Sequence, residues 1–374
     1  MMLHSRKNIA ALSGITVFLL TFYLLRWGLL GLVNIGPPKG ACENIRDFNA
    51  YLKNGGNPSA YRSRTPFITC AVESSSQEIV SQLLDLEVDI ESPKKSGLIY
   101  FLTPPFDTGT TPLYAAARDG DLPLVKLLVD RGADPQREGR GWSDSPFNVA
   151  VENGHAAVVR YFLETKGREI DLNQYVIEKS AREGHIETLS ALVESGLWTN
   201  DKGEYSQALA FAAQGEYLET MKFLLSVGAN IDGGVEAVPP LYWMAVKENF
   251  EIAEYLIENG ANVNMVHPRK AETPVSASSE FGHHEFLLFL VDHGADVHVS
   301  DDWGNTPLHY AISPAFDRRI SPSDRHKVVQ ILLENDVDIN KKNNEGKTAL
   351  DLAIQTEQSK IIDWLTELGA DRSL

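Results

Sequence analysis

The chain of 374 residues exceeds a typical single hydrophobic core, so its length predicts either two domains or one array of repeats. Apolar residues make up 43% and charged residues 23% of the chain, which excludes a chain that is disordered throughout. The formal net charge of -17 repels phosphate backbones, so it argues against a nucleic-acid partner and favours a basic protein or peptide.

The first elements are a short basic tail over residues 1–8 and an uncharged, apolar run that follows it. We predict a transmembrane signal-anchor helix over 9–36, because Ile9 to Leu25 alone would rise about 25 Å at about 1.5 Å per residue. A cleaved secretory signal shares this pattern and would leave a secreted or periplasmic protein. The prediction is a single-pass membrane protein, and the near-equal basic flanks leave the side of its soluble domain open.

Two cysteines, Cys42 and Cys70, are too few for a disulfide scaffold and lack the spacing of a zinc or redox motif. Cys70 falls where the repeats described below place small core residues, which predicts a buried thiol. A bridge between the two is conceivable, but no pattern in the sequence supports it.

Two short phrases then recur in constant phase, at a spacing of roughly 33 residues. The first phrase stands at Gly132-Ala133-Asp134, Gly228-Ala229-Asn230, Gly260-Ala261-Asn262, Gly294-Ala295-Asp296 and Gly369-Ala370-Asp371. The second stands at Thr65-Pro66-Phe67, Thr111-Pro112-Leu113, Ser145-Pro146-Phe147, Thr273-Pro274-Val275 and Thr306-Pro307-Leu308.

The second phrase predicts the start of a helix, since a threonine hydroxyl can cap the helix and proline at the first position loses no needed hydrogen bond. Glycines follow at the places where such a helix would end in a left-handed residue: Gly120, Gly154, Gly184, Gly215 and Gly282. An apolar second helix follows each turn and ends at the first phrase.

The copy Gly304-Asn305-Thr306-Pro307-Leu308-His309-Tyr310-Ala311 resembles the ankyrin repeat. The resemblance covers about residues 41 to 374 and implies an all-α solenoid of helix-turn-helix units with projecting loops. We expect an N-terminal capping half-repeat over 41–60 and about nine repeats over 61–374. They start near residues 61, 107, 141, 171, 203, 235, 269, 302 and 344.

Two stretches, near 92–107 and 313–324, exceed the repeat length and are expected to be loops outside the stack. The first is apolar, so its exposure would call for a partner or contact with lipid.

Ankyrin domains bind partners through their loop tips and the concave face of the first helices, which directs attention to aromatic residues there. The resemblance places Trp142, Trp198 and Trp303 in loops, and Trp243 and Tyr310 on the groove. Large aromatic side chains are favoured anchors, so we predict these five as partner-binding residues. The alternative is that each packs against its own loop.

No sequence pattern predicts catalysis, a cofactor, a metal site or a small-molecule substrate. Asp107-Thr108-Gly109 matches an aspartic-protease signature, but a second copy and a β fold are missing from the pattern. His283 and His284 lack the spacing of a zinc helix. The predicted function is a membrane-anchored scaffold for protein binding, with an enzyme of unrecognised site or an inert spacer as alternatives.

Overall fold

The computed structural model describes residues 37–62, 65–92, 110–137, 145–167, 170, 172, 174–199, 203–234, 236–312 and 320–372. Regular structure in these ranges consists of nineteen α-helices, one 3₁₀ helix and one two-stranded hairpin. The prediction of an all-α fold built from helix-turn-helix units is therefore confirmed for the described part of the chain.

A 3₁₀ helix, Lys39–Cys42, precedes the single helix α1 (Ile45–Lys53), and strands β1 (Tyr61–Arg62) and β2 (Thr65–Pro66) pair antiparallel after it. Nine helix pairs follow in the described ranges. They are α2 (Phe67–Glu73) with α3 (Gln77–Asp85), α4 (Pro112–Asp119) with α5 (Leu122–Asp130), α6 (Pro146–Glu152) with α7 (Ala156–Lys166), α8 (Gln174–Arg182) with α9 (Ile186–Glu194), α10 (Glu204–Gly215) with α11 (Leu218–Ser226), α12 (Pro240–Lys247) with α13 (Phe250–Glu258), α14 (Pro274–Phe281) with α15 (His284–Asp292), α16 (Pro307–Ile312) with α17 (Pro322–Glu334), and α18 (Ala349–Gln355) with α19 (Ser359–Glu367).

Several first helices begin as their sequence predicts, but the phrase at Thr65-Pro66-Phe67 does not, because Thr65–Pro66 form β2 and α2 starts at Phe67 without a side-chain cap. The Thr111 hydroxyl accepts the Tyr114 N–H at 3.2 Å, and Pro112 occupies the first turn of α4. At α18 the cap is reciprocal, because Thr348 accepts the Asp351 N–H while the Asp351 carboxylate accepts the Thr348 N–H. Helix starts are therefore encoded locally, within about four residues.

Turn glycines end four of the nine first helices of the described ranges in the left-handed conformation, with φ of 73°, 73°, 78° and 76° at Gly120, Gly154, Gly184 and Gly282. For Gly215 the prediction is wrong, since it is the last residue of α10 and Glu216 adopts the left-handed backbone instead. A side chain at Gly215 would collide with the Arg182 carbonyl, so glycine there permits close approach of α8.

The core lies between successive helix pairs. Helix α4 buries three alanines, Ala115, Ala116 and Ala117, and it contacts α2 of the preceding repeat as well as its own partner α5. Small side chains allow the first helices to approach closely, while the second helices bury larger side chains such as Leu128. Each pair thus covers apolar surface that its neighbour cannot cover alone.

Loops of successive repeats are joined by hydrogen bonds from backbone N–H groups to side-chain oxygens. The Asp232 carboxylate accepts the Asn262 N–H at 2.7 Å, and Asn264 Oδ1 accepts the Asp296 N–H at 2.8 Å. The Asn or Asp of the first phrase therefore forms two hydrogen bonds. Its backbone N–H donates to the preceding loop, and its side chain accepts the N–H of the residue two positions later, as Asn262 does from Asn264.

The cysteines correct one prediction. Cys42 and Cys70 form a disulfide with a Cα–Cα distance of 5.7 Å, and Cys70 is half-buried instead of a buried thiol. The 3₁₀ helix that ends at Cys42 lies against α2, which carries Cys70. This 3₁₀ helix brings the two sulfur atoms together, and the spacing of the cysteines in the sequence does not predict it.

The described residues divide into two compact units. One is drawn from Met1–Ala150 and His155–Asp171, and the other from Val151–Gly154 and Leu172–Leu374.

Of the helices in the described ranges, none is both long and apolar enough to cross a membrane. The predicted basic tail 1–8 and the predicted membrane helix over 9–36 lie outside the described residues.

Most of the stretch near 92–107 and residues 313–319 of the second expected insertion also lie outside the described residues. The end of the second insertion is helical and not a loop, because α17 starts at Pro322 with Ser321 as its cap.

Candidate functional site

The five aromatic residues predicted to contact a partner are placed differently by the structure. Trp142 lies outside the described residues. Trp198 and Tyr310 are buried, with 3% and 8% of their surface exposed, whereas Trp303 is 54% exposed and Trp243 is partly exposed.

Trp198 packs against its own loop. Its ring meets the Tyr205 ring edge-on at 4.7 Å between centroids, and the Tyr205 hydroxyl donates to the Trp198 carbonyl at 3.0 Å. This pair closes the connection between α9 and α10 and leaves little surface for a partner, so the structure gives Trp198 a packing role.

Tyr310 points into a buried polar network beneath the groove. Its hydroxyl lies 2.6 Å from Asp301 Oδ2 and 3.2 Å from Glu272 Oε1, and Tyr242 donates to Glu272 Oε2 at 2.5 Å. Burial, reinforced by the hydrogen bond to Asp301, raises the pKa of Tyr310 far above its ordinary value. Tyr310 therefore stays a protonated donor that joins loops, and it has little surface left to contact a partner.

Trp303 combines an exposed ring with a fixed backbone. Asp301 Oδ1 accepts the N–H groups of Trp303 at 2.9 Å and Asn305 at 2.7 Å, and the Trp303 carbonyl accepts the Asn344 N–H at 2.8 Å. The ring borders a cleft of about 240 Å³ whose far side includes Leu352. A large side chain on a held loop is already positioned for binding.

Trp243 lines a second cleft of about 270 Å³, which we call the arginine cleft. Its walls come from four successive repeats: Arg182 ends α8, Phe211 lies on α10, Trp243 lies on α12, and Arg269 lies in the loop before α14. Glu236, in the loop before α12, is its one acidic side chain among the described residues.

Arg182 is held in place on one wall of the arginine cleft. Its guanidinium carbon lies 4.4 Å from the centroid of the Phe211 ring, and its Nε donates to Gln214 Oε1 at 2.8 Å. The stacked ring and the single hydrogen bond fix the plane of the guanidinium.

Arg269 stands on a hydrogen-bonded turn. The His267 N–H donates to the Glu272 carbonyl at 2.7 Å, and the Ala271 N–H donates back to the His267 carbonyl at 2.9 Å, with Ala271 in the left-handed region. Burial lowers the pKa of His267, and the nearby Lys270 adds to that effect. A neutral His267 leaves the two arginines as the positive charges of the cleft.

The histidines near the helical turns have structural partners. His155 donates from Nε2 to the Arg118 carbonyl at 2.7 Å, and His283 donates from Nδ1 to the Ala245 carbonyl at 2.9 Å, each reaching back one or more repeats. His283 and His284 also border a cleft of about 430 Å³ with Asp324. Across the described ranges, no group of three or more His, Cys, Asp or Glu residues is arranged to hold a metal ion.

Sequence reasoning did not select Arg182, Phe211 or Arg269. A signal for Phe211 exists, because it occupies the same place after residue 203 as Trp243 does after residue 235. The repeat register therefore predicts an aromatic residue at this place in both repeats, and both line the arginine cleft. The two arginines carry no such pattern, and only the folded loops bring them to one cleft.

The sequence model described as "Ankyrin repeats (3 copies)" matches the chain over residues 41–139, 92–175, 147–234, 177–267, 241–320 and 278–373. These overlapping matches extend across nearly all of the chain that follows the predicted membrane segment.

Several curated proteins are similar to the chain. The ankyrin repeat and KH domain-containing protein mask-1 of Caenorhabditis elegans is 29% identical over 54% of this chain and 7% of its own length. The human transient receptor potential cation channel subfamily A member 1 is 23% identical over 71% of this chain and 24% of its own. The putative palmitoyltransferase ZDHHC13 of Danio rerio is 25% identical over 75% of this chain and 37% of its own. The chain thus spans well under half the length of each.

Proposed function

Because the chain belongs to the ankyrin-repeat family, we propose that it is a protein-interaction scaffold that grips its partner through Trp243 and Trp303. One observation carries the proposal: Trp303 leaves 54% of its surface exposed on a loop whose backbone Asp301 holds in place. Rigid aromatic side chains bury a large area at low entropic cost, which makes them the usual centres of binding energy.

The test begins with affinity capture by the full tagged chain, followed by reconstitution of the strongest partner from purified proteins. Trp243→Ala and Trp303→Ala should each weaken that complex by about 2 kcal/mol or more. The matched control is Leu288→Ala, an exposed apolar side chain on the second helix α15, which should leave the affinity unchanged. Equal affinities for wild type and both tryptophan variants would favour an inert spacer.

We further propose that the partner carries a basic surface. The net charge of -17 supports this, because an acidic field steers positively charged proteins towards it. The association rate of the reconstituted complex should fall as ionic strength rises and the field is screened. An association rate that increases with salt would contradict a basic partner.

We also propose that residues 9–36 anchor the chain in a membrane and that the repeats lie on the oxidising side of it. The disulfide between Cys42 and Cys70 supports the second part, since such bonds persist in oxidising compartments and are rare in the cytosol. With the amino terminus in the cytosol, this is the orientation expected of a signal-anchor helix.

The chain contains two cysteines, so counting its thiols gives a clear test of this orientation. Cells lysed directly into a maleimide reagent should show no modified thiol before reduction and two after it. Two modified thiols without reduction would contradict the orientation. The mass of the mature chain separates an anchor, which keeps residues 9–36, from a cleaved signal.

We propose a non-catalytic role for the chain. In support, the carboxylates of Glu272 and Asp301 are both buried and engaged, with hydrogen bonds from Tyr242, Tyr310 and Asn305. An enzyme activity of the purified chain that Glu272→Gln abolishes, while the variant remains folded, would contradict this role.

A further inference from the structure

The arginine cleft reverses the sign of the charge that surrounds it. The chain as a whole carries a formal charge of -17, yet this cleft presents Arg182 and Arg269 against the single carboxylate of Glu236. His267, the remaining titratable side chain on the lining, has a pKa lowered by burial and adds no positive charge near neutral pH. The cleft therefore attracts a group that the rest of the surface repels.

The terminal nitrogens of Arg182 can form a new ion pair. Its Nε is occupied by Gln214 and its face by Phe211. The carboxylate of Glu178 on the same helix interacts with it electrostatically, but the two form no salt bridge within the described part of the chain. The terminal nitrogens of the guanidinium are the donors that commonly pair with a carboxylate in two parallel hydrogen bonds. Stacking on Phe211 already limits the rotation of the group, which reduces the entropy that such a pair would cost.

Arg269 borders the same cleft from the loop before α14. Its side chain is exposed and makes no ion pair within the described ranges, and the turn that carries it is closed by hydrogen bonds between His267, Ala271 and Glu272. Arg182 at the end of α8 and Arg269 in the loop before α14, three repeats apart, thus border one opening whose described lining holds a single acid, Glu236.

The rest of the cleft is apolar and small. Trp243, Phe211 and Val238 form an apolar lining, and the volume of about 270 Å³ is just below the roughly 300 Å³ at which drug-sized ligand sites begin. The space suits one or two side chains of an extended segment. An aromatic surface beside two guanidinium groups favours a large apolar side chain next to an acidic one.

We propose that the arginine cleft binds an extended segment of the protein partner in which an Asp or Glu follows a large apolar residue. The carboxylate pairs with Arg182 and Arg269, and the apolar side chain packs on Trp243. The inference rests on the proposed scaffold function and specifies its recognition. A carboxylate matches the charge of the cleft better than a phosphate, because Arg182, Arg269 and Glu236 sum to one net positive charge, which a single carboxylate neutralises.

The experiment uses four fluorescent peptides, about ten residues long, that differ at one position after a fixed leucine. That position is Glu, Gln, Lys or phosphoserine, and the flanks are mixtures of Gly, Ser and Ala. Binding to the full chain is followed by fluorescence anisotropy. The glutamate peptide should bind at least about tenfold more tightly than the glutamine peptide, since hydrogen bonds to charged groups are the stronger class.

Variants of the chain assign the effect to the cleft. Arg182→Gln and Arg269→Gln should each reduce the preference for glutamate to within about threefold, whereas Trp243→Ala should weaken the glutamate and glutamine peptides alike. Arg182→Lys keeps the positive charge but loses the planar guanidinium that stacks on Phe211. It should give a preference for glutamate over glutamine between those of the wild type and Arg182→Gln. Arg131→Gln, a surface arginine paired with Asp85 in the other compact unit, is the matched control and should change nothing.

Four results would overturn the proposal. Three are equal binding of the glutamate and glutamine peptides, tighter binding of the phosphoserine peptide, and no binding of any peptide at about 1 mM. The fourth is an unaltered glutamate preference in both arginine variants, which would place the carboxylate elsewhere. None of these results touches the scaffold function itself, which depends on the tryptophan variants and the reconstituted full-length partner.

Discussion

His309 is held as a neutral imidazole by its hydrogen-bond partners. Its Nδ1 accepts the Thr306 N–H at 3.2 Å, and its Nε2 lies 3.0 Å from the Lys347 carbonyl, which can only accept. The proton therefore resides on Nε2, and a second proton on Nδ1 would displace the Thr306 N–H. Burial lowers the pKa of His309, against smaller opposing effects of the Lys347 carbonyl and Asp301.

This lowered pKa makes the stability of the repeats sensitive to acid. Below about pH 6.5 the unfolded chain takes up a proton at His309 more readily than the folded chain, so the free energy of unfolding should fall as pH drops. His309→Gln should flatten that dependence between about pH 7 and about pH 5 in urea titrations. His298→Gln, on an exposed loop, should not, and identical slopes for the two variants would count against the assignment.

Leu308 precedes His309 and has an uncharged side chain, so its substitution measures the contribution of packing alone to the free energy of unfolding. It is 1% exposed, so Leu308→Ala should lower the free energy of unfolding by about 2 to 5 kcal/mol through lost burial and a residual cavity. Leu288→Ala removes the same atoms from a side chain that is 47% exposed and should cost less than about 0.5 kcal/mol. Similar costs measured by urea unfolding would mean that Leu308 is not in the core.

Single-residue burial is the part of the site that sequence reasoning predicts least. Trp243 and Tyr310 occupy the same place in their repeats, yet one borders a cleft and the other is buried. The difference comes from Asp301 and Glu272, whose carboxylates receive the Tyr310 hydroxyl from loops of two repeats. Those loop acceptors are specific to their positions and leave no trace in the repeat pattern.

At the scale of the element, the turn glycines have two distinct requirements. Gly120 and Gly132 both have positive φ, at 73° and 96°. A Cβ on Gly120 would lie 2.5 Å from His155 Nδ1, whereas a Cβ on Gly132 would meet no atom within 4 Å. The first glycine therefore serves backbone conformation and the contact with the next repeat, and the second serves conformation alone.

The pair Gly120→Ala and Gly132→Ala separates these requirements. Both variants should bear the cost of a left-handed alanine, about 1 kcal/mol. Gly120→Ala should lose about 1 to 3 kcal/mol more, because the His155 ring must move and its hydrogen bond to the Arg118 carbonyl is strained. Equal losses in chemical denaturation would show that the ring relaxes without cost.

Helices are predictable even where their starting phrase is missing. Helix α10 begins at Glu204 after Gly203 without a side-chain cap, and α8 begins at Gln174 where no Thr-Pro phrase stands. Both still form because they bury an apolar face, which in α8 includes Val176 and Ile177. Periodicity of apolar residues therefore predicts these elements, while capping sharpens their first residue.

At the scale of the whole molecule, stability should be distributed repeat by repeat. A disulfide closing a span of 28 residues constrains the unfolded chain by about 3 to 4 kcal/mol in the chain-entropy account. Its loss in a Cys42→Ser, Cys70→Ser double variant should raise hydrogen exchange in α1 and α2. Exchange in α18 and α19 should stay unchanged, because repeats couple mainly to their neighbours. Uniform deprotection would instead indicate one cooperative unit.

The period of the sequence predicts the repeated architecture well, since the same phrases must form the same local structure each time they occur. The disulfide escaped prediction because two cysteines alone specify no pairing, and the decisive contact is that of the 3₁₀ helix with α2. The sequence thus predicts contacts within one repeat. It does not predict contacts that depend on a turn occurring once, such as the 3₁₀ helix at the amino-terminal end of the repeats.

The same bond has a mechanical consequence. A pull applied on the amino-terminal side of Cys42 passes through the sulfur atoms directly to Cys70, so residues 43–69, with α1 among them, carry no tension while the bond is intact. Reduction would return that segment to the load path and release a hidden extension of about 90–100 Å, at about 3.3–3.6 Å per residue. A tether attached at this end would then be connected to the second helix pair through a longer and more compliant chain.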